Sequence, residues 1–377
     1  MPQLHRKATT KEAVEPNEFD SSKLFNFSYA VVPCERRLES PSLTFPPSLA
    51  SFKKRSQVGI AFLALKLSHS NRHENLTALR DSFSAEPSVR MLMRQMSKKK
   101  WIAVALLCAA CAHGQIRYVK LPPEKIAQRL EAAADNQAER GAYLRTQFQT
   151  AGCMAPNLKD EVVPHQKLPN IVCVIPGKTA RKIVVGAHYD FVADGRGIVD
   201  NWSGAALLPS FVESLKDQPR EHTFVFIAFT GEERGMLGSK SYVSQLSNEQ
   251  RKEIDAMVNL DTLGLSTTKV WASDSSTPLV KALFSVASMI NSPLAVMNVD
   301  GMGQSDNDTF RVAKIPEICV HSVTQDTMHV IHSHNDQLSA IRRDDYYESY
   351  RLMAAYLASI DASFTQSPGV TPDQTTK

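Results

Sequence analysis

Three apolar runs in this chain stop at a histidine or an acid. Residues 182–187 (Lys-Ile-Val-Val-Gly-Ala) lead into His188-Tyr-Asp190. Residues 223–229 (Thr-Phe-Val-Phe-Ile-Ala-Phe) lead into Thr230-Gly-Glu-Glu233, and residues 256–260 (Ala-Met-Val-Asn-Leu) lead into Asp261. Near-continuous apolar runs of strand length belong to a sheet covered by helices on both faces. In open α/β sheets ligands bind in the crevice at the carboxyl ends of the strands. A carboxylate at one strand end is ordinarily a helix cap or a solvated loop. Three strands delivering ligand-type side chains to one edge constrain fold and chemistry together.

The rest of the pattern between 115 and 365 fits that frame. Further strand-like runs lie at 170–175, 270–272 and 316–320, with Pro176-Gly177 separating the first from its successor. Helical spacing appears near Pro122-Pro123 (Ile126, Leu130, Ala134), over 138–149, and over 203–215, where Pro209 should kink or interrupt the helix. It recurs over 239–246, 277–290 and 345–360, the last carrying Tyr346, Tyr350, Met353, Ala354 and Leu357 as one stripe. Alternating strands and helices predict one three-layer α/β domain.

Two more polar motifs join the strand ends. Asp200-Asn-Trp-Ser-Gly204 opens a helix and would alone pass for an N-cap. His332-Ser-His-Asn-Asp336 lies in a polar loop and would alone pass for a surface cluster. Together they supply imidazoles and carboxylates without thiolates, a donor set for hydrolytic zinc, with manganese or cobalt as substitutes. Two histidines and three carboxylates suit two metals sharing one carboxylate bridge. The adjacent Glu232 and Glu233 then offer one metal ligand and one free base for water. No Gly-x-Ser-x-Gly, His-Glu-x-x-His or phosphate-loop motif occurs.

Charge is unevenly spread. Of 43 Lys+Arg and 39 Asp+Glu, residues 1–114 hold 17 and 9, a net of +8, leaving 26 and 30 from Gln115 onward, a net of −4. The main domain therefore carries no basic excess for a nucleic-acid partner. Within the basic third, Lys98-Lys-Lys100 precedes the apolar run 101–110, and Ala112-His-Gly114 follows. That order is a secretory signal peptide over 96–114, and the run is short for a bilayer span. A buried core helix and lipoprotein cleavage before Cys111 are the weaker alternatives. Residues 1–95 are then expected to be disordered or to reflect a misassigned translation start, with 58–67 their one foldable stretch. The tail 366–377 is expected to be flexible. After the signal, Cys153, Cys173 and Cys319 remain. Export favours a disulfide, expected between Cys153 and Cys173. The expectation is an exported protein, monomeric, without stable membrane association.

Six segments resemble the co-catalytic zinc aminopeptidases of peptidase clan MH, of the secreted leucyl aminopeptidase type. They are 187–190, 200–204, Gly231-Glu-Glu-Arg-Gly-Met-Leu-Gly-Ser239, 259–264, Ser305-Asp-Asn-Asp-Thr-Phe310 and Ile331-His-Ser-His-Asn-Asp336, in that order. The resemblance implies a three-layer α/β/α sandwich of the zinc-exopeptidase kind, with a mixed, mostly parallel sheet. It implies two Zn2+ and peptide substrates. His188 and Asp261 match the ligands of one metal, Glu233 and His332 those of the other, and Asp200 the bridge. Glu232 matches the general base, and Asp190 the carboxylate that orients His188. Asp336, four residues after His332, selects His332 over its competitor His334. Trp202 stands where the family has a small residue and is expected to narrow the site; Asn307 stands where a histidine is common. A glutaminyl cyclase shares this fold, as would a non-catalytic binding domain, but both normally lack ligands that are present here.

Overall fold

A computed structural model describes residues 116–364, apart from 302. The expected signal peptide at 96–114, the segment 1–95 with its run at 58–67, and the tail 366–377 lie outside the described residues.

Two helices open the domain, α1 (Pro123–Glu131) and α2 (Gln137–Thr150). There follow β1 (Leu158–Glu161), β2 (Asn170–Ile175), β3 (Lys182–His188), α3 (Leu208–Leu215), β4 (Thr223–Phe229), α4 (Leu237–Ser244), α5 (Asn248–Lys252) and β5 (Ile254–Leu260). The remainder is β6 (Lys269–Val270), α6 (Thr277–Met289), β7 (Ala295–Val296), α7 (Asp306–Val312), β8 (Glu317–His321) and α8 (Arg343–Phe364). The strands form one sheet of eight in the order β1-β2-β4-β3-β5-β8-β6-β7. Its centre, β4-β3-β5-β8, is parallel, while β1, β2 and the β6–β8 pairing are antiparallel. The sheet is thus mixed, with a parallel middle.

Both faces are covered, as the uninterrupted apolar runs require. Along β4, Phe224, Phe226 and Ala228 enter one core with the buried residues of α1, α2, α3, α6 and α8. The alternate residues Val225, Ile227 and Phe229 enter a second core with Tyr242 and Val243 of α4 and Phe310 of α7. A strand buried on both faces has no polar side left, so its amphipathic alternation vanishes. The expected stripe on α8 is buried in full at Tyr346, Tyr350, Met353, Ala354 and Leu357.

Pro209 is the second residue of α3, and the longer run is interrupted rather than kinked: Ser203–Ala205 forms a separate turn ahead of it. Proline without its N–H is tolerated at a helix start. The Cys153–Cys173 disulfide ties the chain after α2 to β2, and Cys319 is a free, buried thiol in β8.

Candidate metal centre

Parallel register aligns the carboxyl ends of β3, β4 and β5. His188 pairs with Phe229 of β4, and Gly186 pairs with Asn259 of β5. His188, the turn after Phe229, and Asp261 therefore emerge at one edge. Gly231, at φ 70°, turns the chain sharply out of β4 and brings Glu232 and Glu233 back over that edge. Asp200 arrives on the turn Ile198–Trp202, where its own backbone is not helical (φ −114°, ψ 91°), and His332, itself at φ 53°, from the loop ahead of α8.

Asp200 stands at the centre. Its Oδ1 lies 3.3 Å from His188 Nε2, and its Oδ2 lies 3.1 Å from His332 Nε2. His188 Nε2 also lies 3.7 Å from Asp261 Oδ1, and His332 Nε2 lies 3.0 Å from Glu233 Oε2. Two sets that could each hold a metal ion follow: His188, Asp200 and Asp261, and Asp200, Glu233 and His332. They share Asp200. His188, Glu232 and Glu233 form a third such group. It is His332, not the exposed His334, that lies against Asp200 and Glu233; the carbonyl oxygen of His334 accepts from Gln337 Nε2 at 3.2 Å.

The surroundings fit a cation. His188 Nδ1 is 3.1 Å from the carbonyl oxygen of Asp190, so donation there leaves Nε2 as a lone pair facing Asp200 and Asp261. That Nε2 and Glu233 Oε1 are buried without hydrogen-bond partners, as donor atoms for a metal would be. The electrostatics agree. Burial pushes the Glu232 carboxyl up to about 9 against the pull of His188, with Asp306, Asp261 and Asp200 adding to the rise. Hydrogen bonds to Asp200 and Glu233 push His332 up to about 10. Burial alone would depress His188, but Glu232, Asp190, Asp200 and Asp261 hold it well above its ordinary value. Crowded carboxylates of this kind are what a divalent ion neutralises.

The neighbours differ in part from the sequence expectations. The Asp190 carboxylate is 3.7 Å from His188 Nδ1, farther than its own carbonyl oxygen. It accepts instead from the backbone N–H groups of Glu232 (3.1 Å) and Glu233 (3.2 Å), holding that turn in place. Asp336 accepts from the N–H groups of Val199 (2.6 Å) and Asp200 (3.2 Å). Trp202 does not narrow the site: it is fully buried against Tyr143, and its Nε1 donates to the carbonyl of Leu130 at 2.9 Å. A bulky ring before Ser-Gly points into the core here, a direction that residue order alone does not reveal.

Ser305 received no role from its motif, yet its Oγ donates to Asp261 Oδ2 at 2.5 Å. Asn307 does not face the metal-binding groups; it donates to Asp274 Oδ2 and Glu317 Oε2, both at 3.1 Å. Arg140, on α2, reaches the loop before Asp200. In the sequence it reads as one more charge on a polar helix face, and no signal marked it.

A family model described as peptidase family M28 matches residues 170–357. A probable leucine aminopeptidase of Arthroderma benhamiae is 28% identical over 239 residues, covering 59% of this chain and 66% of that protein, just short of two thirds. The crystal structure of the LapA aminopeptidase of Legionella pneumophila superposes with a TM-score of 0.57 at 23% identity, covering 64% of this chain and 72% of that one. An Acidobacteriales bacterium glutaminyl cyclase shares the fold, with a TM-score of 0.54 at 18% identity over 64% of this chain and 94% of that one.

Proposed function

We propose that the chain, matched over residues 170–357 by the model of peptidase family M28, is a zinc aminopeptidase of that family, removing N-terminal residues from peptides. One observation carries the proposal: the two oxygens of Asp200 face different imidazoles, each completed by a further carboxylate. Two zinc ions, one held by His188 and Asp261, the other by Glu233 and His332, with Asp200 shared, is the occupancy those side chains support. Zinc so held supplies Lewis acidity, which polarises a scissile carbonyl and lowers the pKa of water from about 16 toward about 7.

Glu232 is the carboxylate outside both sets that share Asp200. Its Oε2 lies 3.8 Å from His188 Nε2, next to the reacting region. It takes the proton of the attacking water and returns it to the departing amine. The Asp190 carboxylate fixes the backbone of Glu232 and so the direction from which that proton is taken. His188 is held by the Asp190 carbonyl in the tautomer whose Nε2 can bind metal.

Export is part of the same reading. The signal-like segment 96–114 and the Cys153–Cys173 disulfide support it. Among the described residues no helix is long and apolar enough to cross a membrane.

The full chain, stripped with chelator and then given zinc, should regain release of p-nitroaniline from aminoacyl-p-nitroanilides. No release, with pyroglutamate formed from an N-terminal glutaminyl peptide instead, would make it a cyclase like the Acidobacteriales bacterium enzyme that shares its fold.

A further inference from the structure

Arg140 is fully buried in α2, a helix outside the span that the family model matches. Its guanidinium is committed to backbone carbonyls. Nε donates to Ala134 at 2.9 Å, Nη1 to Gly197 at 2.9 Å, and Nη2 to Arg196. The Phe191 ring lies 4.1 Å from the guanidinium carbon and the Trp202 ring 5.4 Å from it. A buried cation is tolerated when each of its nitrogens finds an acceptor and aromatic faces flank it.

The carbonyls it grips have a particular place. Gly197 O also accepts from the N–H of Trp202 at 3.1 Å, closing the turn Ile198–Trp202 that carries Asp200. Gly197 sits at φ 53°, and a Cβ there would come 2.2 Å from Phe191 Cβ, so the turn is packed tightly against the same ring. Arg196 is tied in turn to the α1–α2 linker, with Nε on Asp135 Oδ1 at 2.8 Å and Nη2 on Ala133 O at 3.2 Å. At the other end of the segment, the Asp336 carboxylate holds the N–H groups of Val199 and Asp200. The turn is thus pinned at 196–197 by Arg140 and at 199–200 by Asp336. Aiming two oxygens of one carboxylate at two metals demands such fixing, because ligand geometry is set by the groups behind the ligands.

We propose that Arg140 is a positioning residue of the metal centre, fixing from the N-terminal helical pair the turn that presents Asp200. The proposal rests on the reading of Asp200 as a shared metal ligand. It makes α2 part of the working site, although the helix supplies no ligand.

The test measures zinc affinity of the metal-free full chain by competition with a chromogenic chelator, together with hydrogen exchange over 191–200. Arg140→Gln should weaken zinc binding about 10–100-fold and raise exchange in that segment. Arg140→Lys, which can reach fewer of the three carbonyls, should fall between. Arg129→Gln is the matched control: Arg129 is also buried in the helical pair, but its side chain bonds Ser210, Gln147 and Glu213. It should lose stability while keeping native zinc affinity. Native affinity in Arg140→Gln, or equal weakening in Arg129→Gln, overturns the proposal. If the native chain takes up no zinc, the metal reading of Asp200 fails instead. Unchanged exchange over 191–200 in Arg140→Gln would then reject the clamp on its own.

Discussion

Asp200 presents one oxygen to each of two imidazoles, so an amide of the same shape cannot replace it. Asp200→Asn should leave the fold intact and abolish tight binding of a second zinc; two tightly held zincs by elemental analysis would contradict the bridge. Glu232→Gln should behave differently. Metal content should stay native while turnover falls by about 10²–10⁴-fold, the usual worth of a positioned general base; near-native turnover would remove Glu232 from that role. His321 offers a pH prediction at a residue that is not itself a proposed ligand, although Asp261 lies near enough to act on it. Its Nε2 lies 2.9 Å from Met297 O, and its Nδ1 accepts from Val323 N–H at 3.2 Å, so the neutral ring is fully used. Burial lowers it to about 4. The unfolded chain therefore binds a proton between pH 6.5 and 4 that the folded one refuses, and stability falls as pH drops through that window. The loss is about 3 kcal/mol, and acid titration of unfolding should flatten by that amount in His321→Gln. These residues also show how unevenly sites are written in sequence. The expected ligands stand in short polar motifs, His188, Glu233 and Asp261 just after apolar runs, and are legible. Ser305 and Arg140 are not, and Asp190 is legible as a residue but not as the acceptor for the Glu232 and Glu233 N–H groups, because those partners are brought near only by folding.

At the level of elements, β2, β4 and the expected part of β5 were legible because burial on both faces leaves apolar runs with abrupt ends. The short strands were not. β1 is Leu-Lys-Asp-Glu and β7 only Ala-Val, too brief to carry a period. α7 begins with Asp-Asn-Asp, which reads as a ligand motif before it reads as a helix. The disulfide joins positions separated by 20 residues and lies away from the strand edge that carries the ligands. Replacing Cys153 and Cys173 with serine should cost roughly 3 kcal/mol and lower the melting temperature by several degrees. Zinc affinity should not move. A double variant that melts like the native protein would show that the bond contributes nothing to stability.

Across the whole molecule, the centre gathers His188, Asp200, Glu232, Glu233, Asp261 and His332 from strand ends and loops spread over much of the domain. The parallel middle of the sheet makes that convergence possible, since strands running one way end at one edge. Helices α1 and α2, outside the matched span, complete the packing behind it, and α2 with the α1–α2 linker binds the loop ahead of Asp200. The overall design was readable from alternating elements and charge distribution, while the contribution of the N-terminal pair was not, because it is made by contacts distant in sequence. The most direct measurement is anomalous diffraction at the zinc edge from crystals of the zinc-loaded protein. Two peaks about 3.5–4 Å apart, one beside His188 and Asp261 and the other beside Glu233 and His332, with Asp200 between them, are the predicted result. A single peak, or peaks away from Asp200, would contradict the account.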